Sequence, residues 1–552
     1  MIERWSAGWR PYALLLLLSL GLYLPGLAAL PVTDRDEARF AQATRQMLES
    51  HDFLHIRFQD EARNKKPAGI YWLQSAAVAA LSTPESAAIW PYRLPSLAGA
   101  LVAVLLTFAL GRVLVGGPAA LLGAALLGAS IGVVVEAHLA KTDAVLLATA
   151  AAAQAALGIL YAAARRGSAP APRRWAALFW IAQGAAILVK GPIVPFLSLL
   201  TAGTLSLADR DARWLRDLRP LWGVPLMLAI ALPWFVAITL ATGGAFLGEA
   251  AGHDLFGKIV GAQEAHGAWP GYYLLLLFVT FWPGALLLGP AAAWGWQARG
   301  ETGARFLLAW ALPFWFVLEL VPTKLPHYIL PAYPALALLA ARGALALAHG
   351  ELRRRRWLDG IAGALWLAVT LALAAALVLL PLRFAGALDL AGVVAAAILA
   401  GFGTRLALAV WRRGGSGGIA VRAALLALLV LPPTLALVVP ALNGLWLSRA
   451  AAALVAQYHP PPGAPIVAVG DSEPSLVFLL GTATREVSPD AAAQVIASSP
   501  GAAALVNGAD DAAFQQALKQ RGCAARALGR VGGLDYSTGR ALALTLYTAG
   551  PG

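Results

Sequence analysis

The chain is poor in cysteine, in charge and in lysine, and each scarcity excludes something. Cys523 stands alone among 552 residues, which excludes an intramolecular disulfide and a cysteine-built zinc site and leaves packing as its role. Charged residues make up 13% of the chain against 59% hydrophobic, and with a mean hydropathy of +0.68 that excludes a soluble globular fold. A net charge of +13 and a pI near 10.1 would suit nucleic acid, but the arginines are dispersed over short loops and form no continuous docking face. No repeat of solenoid period runs through the sequence.

What is present is a series of apolar runs. Those long enough for a hydrocarbon layer of roughly 30 Å fall near 11–30, 93–115, 118–135, 142–163, 175–190, 192–208, 220–242, 272–298, 303–321, 328–347, 357–381, 386–411 and 419–446. The chain therefore reads as a polytopic α-helical membrane protein with about thirteen spans. Arg4 and Arg10 precede the first run as in a signal peptide, but no small-residue cleavage site follows and more spans do, so the run reads as a retained anchor.

Lysine and arginine accumulate on the cytoplasmic side of a membrane, and the loop charges alternate accordingly. A cytoplasmic N-terminus gathers Arg112, Arg165, Arg166, Arg173, Arg174, Arg210, Arg213, Arg216, Arg219, Arg299, Arg305, Arg353 to Arg356, Arg412 and Arg413 into cytoplasmic loops. All seven lysines (Lys65, Lys66, Lys141, Lys190, Lys258, Lys324 and Lys519) and seven of the eight histidines then fall on the other side. Basic residues placed against the trend carry a topological cost, which favours function over solvated decoration for this set.

The loop over 31–92 is too long for a plain connection. Asp34-Arg35-Asp36-Glu37-Ala38-Arg39-Phe40 opens a helical run to Ser50. Asp36 and Glu37 in its first turn suit the helix dipole, and as consecutive residues they cannot share one face. Asp36 is the better placed for a substrate, with Arg39 on the same face and Glu37 beside it. Further on, Asn64-Lys65-Lys66-Pro67 leads into an apolar stretch of about 15 residues, too short to cross. It fits a surface helix with Tyr71 and Trp72 at headgroup depth and the lysines among lipid phosphates, as an anchor, a site for a phosphorylated lipid, or both. Glu136, His138, Lys141 and Asp143 fill one short connection; Lys190 precedes Gly191-Pro192; His253, Asp254, Lys258, Glu264 and His266 share a loop; Thr323-Lys324-Leu325-Pro326-His327-Tyr328 forms the last cluster. Each alone fits capping or a loop charge, but so many at one membrane level suggest a shared cavity for an anionic ligand.

The tail over 448–552 is the only soluble block of domain size, set off by Pro460 to Pro462 and Gly463. Strands are expected at Ile466 to Gly470, Ala503 to Val506 and Ala541 to Tyr547, and helices at Pro474 to Leu480 and Ala512 to Gln520. That is a small α/β domain, outside the membrane on the periplasmic side, after a transmembrane region over 1–447. Asp471 and Glu473 follow a strand end, where turn chemistry and ligand binding both occur.

The stretch from Thr323 to Pro334, the Asp36-Glu37-Ala38-Arg39-Phe40 opening and the Lys66-Pro67 entry followed by Tyr71-Trp72 resemble the bacterial lipid A aminoarabinose transferases, which share the GT-C superfamily with the protein O-mannosyltransferases. The resemblance implies a GT-C fold and an inverting transfer, without nucleotide, from an undecaprenyl phosphate-linked sugar to lipid A or another envelope acceptor, at the periplasmic face of the bacterial inner membrane. By the same resemblance the loop aspartate falls on Asp36 and its arginine on Arg39, the lysine that contacts lipid phosphate on Lys66, the later acidic residue on Asp143, a basic loop residue on Lys258, and a histidine before Pro270 and Tyr272-Tyr273 on His266. Lys190, Lys324, His327, Tyr328, Tyr71 and Lys65 complete the expected substrate-binding set. No cofactor is required except that a divalent metal stays open, with His266 and His253 as ligands. One departure bears on it: the family's metal-binding glutamate is replaced by Lys65, whose ammonium has no lone pair to give; Glu61, His253 or His266 would have to remake the site.

The bond-breaking step fits these residues. Cleaving an anomeric carbon from phosphate leaves a dianionic lipid phosphate and an oxocarbenium-like sugar, so cations belong around the one and a carboxylate near the other. A protein-acceptor enzyme is the nearest alternative. A lipid-linked sugar transporter is a more distant one, since most spans carry no charge deep inside and no inverted repeat with matching broken helices is visible.

Overall fold

The computed structural model describes residues 5–167, 172–249, 267–470, 473–536 and 538–550. Each apolar run of the sequence meets a helix or a bent helix pair. Among the described residues eight of these helices are long and apolar enough to cross a membrane, or up to ten if each bent pair is one span, beside the expected count of about thirteen. Apolar composition alone does not show where a helix ends: the first run continues to residue 30, but its helix, Arg10–Tyr23, stops before Pro25 and Gly26, the latter at φ 90°. Ile193–Asp209 is short as well, and Arg173–Lys190 carries charge at both ends. The bent pairs are Gly117–Gly128 with Ile131–Ala137, at 58°, and Tyr272–Thr280 with Gly284–Gln297, at 116°.

Asp143–Arg165 is among the best-buried spans, and its alanines let its neighbours approach closely. Gly99 on Trp90–Leu114 meets it backbone to backbone; a Cβ there would sit 2.7 Å from the Ala144 carbonyl. Two shorter helices of the first loop, Asp36–Ser50 and Gly69–Leu81, pack on one another through Phe40 and Tyr71, 5.3 Å apart, and through a Thr44 to Gln74 hydrogen bond of 2.7 Å.

The small sheet domain near the C-terminus has five strands in the order Arg485–Glu486, Ile466–Val469, Ala503–Asn507, Arg540–Ala549 and Ala525–Asp535. The first three are parallel and the last two antiparallel. Alternate side chains feed opposite layers, as a pleated strand requires: Val467, Ala504 and Val506 join helices Pro489–Ser498 and Asp511–Gln520, while Ala468, Leu505 and Leu544 join Leu447–Tyr458 and Pro474–Leu480. The expected strands and helices are all present. Ala525–Asp535 escapes the pattern because Gly529, Gly532 and Gly533 interrupt its alternation. Glu473 is buried and takes a hydrogen bond from the Ser448 hydroxyl; Asp471 lies outside the described residues.

Candidate active site

The bend between Gly128 and Ile131 turns the chain so that Glu136 and the connector over 138–142 reach the start of the Asp143–Arg165 helix. Lys190 ends its own helix beside them, and His327 arrives on the turn Pro326–Ala332. Five chemically active side chains from three places in the sequence meet there. Lys141 Nζ lies 2.9 Å from Glu136 and 3.7 Å from Asp143, and Lys190 Nζ 2.5 Å from the other Asp143 oxygen. His327 Nε2 is 3.7 Å from Asp143, and its Nδ1 is 3.4 Å from Lys141 Nζ. The Lys190 ammonium also stands 5.4 Å over the Tyr328 ring. Burial works against the Lys141 charge, but the Glu136 and Asp143 carboxylates more than offset it and raise its pKa.

Glu136, Asp143 and His327 bring three donor atoms within 4.8 Å of one another, a set that could bind a metal. Two ammonium groups already neutralise both carboxylates, so the arrangement is an ion network. Lys65 is exposed and stands where the resemblance implies a metal-binding glutamate, so the residues present do not fit that metal site. His253, Lys258 and His266 lie outside the described residues.

Around this network the first loop supplies a second layer. Asp36 is exposed at the first turn of its helix, within electrostatic reach of Lys141 and of Tyr71. Lys66 is within electrostatic reach of His327. Tyr71 is buried, with Arg63 Nε donating to its hydroxyl at 3.4 Å and the same guanidinium 5.2 Å over Phe40. Arg39, Arg63 and Lys65 line a cavity of about 520 Å³ that the sheet domain walls on its far side with Val477 and Arg485.

Two expected substrate contacts are corrected. Glu37 is 1% exposed: it forms a paired salt bridge with Arg93 at 2.8 and 3.0 Å and accepts from the amides of Thr33 at 2.8 Å and Ala140 at 2.9 Å. Burial raises its pKa, but Arg93 and these donors outweigh that and lower it. Arg93 spends its remaining donors on the carbonyls of Leu27, Leu30 and Pro31. Glu37 is therefore a strut that ties the Asp36 turn to the connector carrying Lys141. Lys324 is buried too, its ammonium given to the carbonyls of Val321 at 2.7 Å and Ala268 at 2.9 Å. Arg93 and Arg63 were missed. An arginine in the first turn of an apolar span was the available signal for Arg93.

The family Dolichyl-phosphate-mannose-protein mannosyltransferase matches residues 13–244. An undecaprenyl phosphate-alpha-4-amino-4-deoxy-L-arabinose arabinosyl transferase of Pseudomonas paraeruginosa is 30% identical over 377 residues, covering 67% of this chain and 65% of that protein. The enzyme of the same description from Edwardsiella ictaluri is 28% identical over 339 residues, covering 61% and 59%. The chain thus spans a little under two thirds of the length of these relatives. The crystal structure of ArnT from Cupriavidus metallidurans bound to undecaprenyl phosphate superposes with a TM-score of 0.72 at 20% identity, over 98% of both chains. This chain has the fold of the GT-C membrane glycosyltransferases and resembles, among them, the undecaprenyl phosphate-aminoarabinose arabinosyl transferases.

Proposed function

We propose that this chain is an inverting glycosyltransferase that moves a sugar, aminoarabinose-like or a hexose, from undecaprenyl phosphate to lipid A or another envelope glycolipid. The observation that carries the reading is the meeting of Glu136, Lys141, Asp143, Lys190 and His327 in one buried network, with Asp36 within electrostatic reach of Lys141 and Lys66 of His327. The inner carboxylates and ammonium groups balance, and Lys66 lies within electrostatic reach of His327. A dianionic leaving phosphate calls for cations at close range, and Lys66, Lys190 and Lys258 are the partners proposed for it. Asp36 takes the proton of a hydroxyl acceptor, or holds positive charge at the sugar if the acceptor is already a phosphate. Asp143 holds the Lys141 and Lys190 ammonium groups in place.

The site lies on the periplasmic side in this reading, with the N-terminus cytoplasmic, residues 1–447 carrying the chemistry and 448–552 covering it. A reporter fused after Leu447 tests the orientation; a cytoplasmic signal puts the site on the wrong side. The match to protein mannosyltransferases over 13–244 supports a second reading with a protein hydroxyl as acceptor. Purified protein given undecaprenyl phosphate sugars, with lipid A or peptide, separates the two. Release of lipid phosphate is expected with lipid A; release with peptide alone moves the assignment to the second reading.

A further inference from the structure

The turn that presents Asp36 is not at rest by its own sequence. Arg35, the residue before the helix, has φ 61° and ψ −103°, and no side chain caps the helix end. A non-glycine residue in that region persists only where its surroundings hold it, and such strain concentrates at functional turns. One holder is local, the Glu37 strut. The others come from more than four hundred residues away. The Asp34 amide donates to the Tyr536 hydroxyl at 2.5 Å, and the Asp34 carboxyl accepts from the Ser475 amide at 3.3 Å. Further along the same helix Arg45 Nη1 donates to the Phe478 carbonyl at 2.6 Å with its guanidinium 4.6 Å over the Phe478 ring, and Gln42 donates to Thr482 at 2.7 Å. The sheet domain is thus docked along the whole helix and grips the backbone immediately before its strained start.

We propose that Tyr536 and Asp34 are positioning residues: through them the sheet domain holds the Arg35 turn and so aims the Asp36 carboxylate. This rests on the transferase reading above. Neither residue touches substrate. Their effect falls on kcat, since a tilted Asp36 meets the acceptor badly, and leaves KM for the lipid-linked donor unchanged. What matters at Asp34 is an acceptor oxygen for the Ser475 amide rather than a charge. Burial raises the Asp34 pKa, so an amide fits the same place.

The test uses the full chain in detergent. Tyr536→Phe is expected to lower kcat three- to tenfold, as the loss of one hydrogen bond implies, with KM for the donor unchanged. Asp34→Ala should do the same or more, and Asp34→Asn should restore kcat to within about twofold. Amide exchange over 33–38 should quicken in Tyr536→Phe and Asp34→Ala but not in Asp34→Asn. Unchanged kcat and exchange in Tyr536→Phe overturns the proposal, as does a rise in KM alone. If Asp34→Asn is as damaging as Asp34→Ala, the charge itself is at work, shared with the nearby Glu473 and Asp535, and positioning is again the wrong account. The exchange measurement needs no turnover, so it still judges the clamp if the transferase reading fails through an active Asp36→Asn.

Discussion

One helix, Asp143–Arg165, has at each end a carboxylate held between two bases, its own Asp143 at one and Asp209 of the helix Ile193–Asp209 at the other, and the bases differ. At its start Asp143 is held by Lys141 and Lys190. At its other end Asp209 is held by Arg165 at 2.7 Å and by Arg305, while Tyr161 donates to the second oxygen at 2.7 Å. Guanidinium groups bind in fixed planar forks and make good permanent fasteners; ammonium groups are point charges on flexible stems. The arginine end is finished: its donors join three loops, and Arg165 also reaches the Gly300 carbonyl at 3.4 Å. The lysine end balances its own charge, and in the proposed reading its flexible stems can be re-aimed at a phosphate. The same pairing of a carboxylate with two bases is thus a fastener on one side and, in that reading, a prepared site on the other.

The largest expected effect belongs to the lysine end. Asp36→Asn should cost about 100- to 10,000-fold in turnover, the range of a lost general base, with the protein still folded; a near-normal rate of undecaprenyl phosphate release would make the carboxylate structural. Next, Asp143→Asn should lower turnover about a hundredfold by leaving the buried Lys190 ammonium without its counter-charge and Lys141 with Glu136 alone. Its counterpart Asp209→Asn should leave kcat alone and cost about 1 kcal/mol of stability, as for a partly exposed ion pair. Equal effects of the two on turnover would erase the distinction between the ends. A smaller effect comes from swapping the bases: Lys190→Arg should lose about tenfold in kcat although the charge is kept, since a fork cannot re-aim, whereas Arg165→Lys should be silent in kinetics.

Much of this contrast is legible in the sequence, for a physical reason. On the expected topology, lysines on the outer side carry a cost that function must offset; Lys141 and Lys190 meet at Asp143, with Lys66 within electrostatic reach of His327. The same rule misreads Lys324, which looks identical on paper: its direction is decided by the carbonyls of Val321 and Ala268, and which carbonyls a loop leaves open is a tertiary fact. Glu37 and Arg93 are 56 residues apart, and nothing local announces their pairing. The apolar runs locate the helices but not their ends, because hydrophobicity is a property of composition, whereas the stop at Tyr23 and the bend after Gly128 depend on backbone geometry. The strand Ala525–Asp535 was invisible to alternation because its glycines hide the period, and it stands because Arg540–Ala549 pairs with it throughout.

The last effect falls on stability rather than turnover, and its pH dependence separates the strut from the network. Lys141 has a raised pKa in the folded protein, so the stability it contributes is complete below the unfolded lysine value of about 10.4 and is lost only as pH rises through the higher folded value. Glu37 runs the other way. Its folded pKa is lowered, so its contribution is present above the unfolded glutamate value of about 4.3 and disappears as pH falls through the folded one. Thermal unfolding of the full chain should therefore show an acid limb below about pH 4.3 that Glu37→Gln flattens while lowering stability at neutral pH by about 3 kcal/mol, the cost of stranding the buried Arg93. Between pH 6 and 9 neither group titrates, so the variant should shift the whole curve downward without changing its slope there. A Glu37→Gln curve that regains wild-type stability at pH 9 would mean that Arg93 is not held by that carboxylate, and the turn bearing Asp36 would need another support.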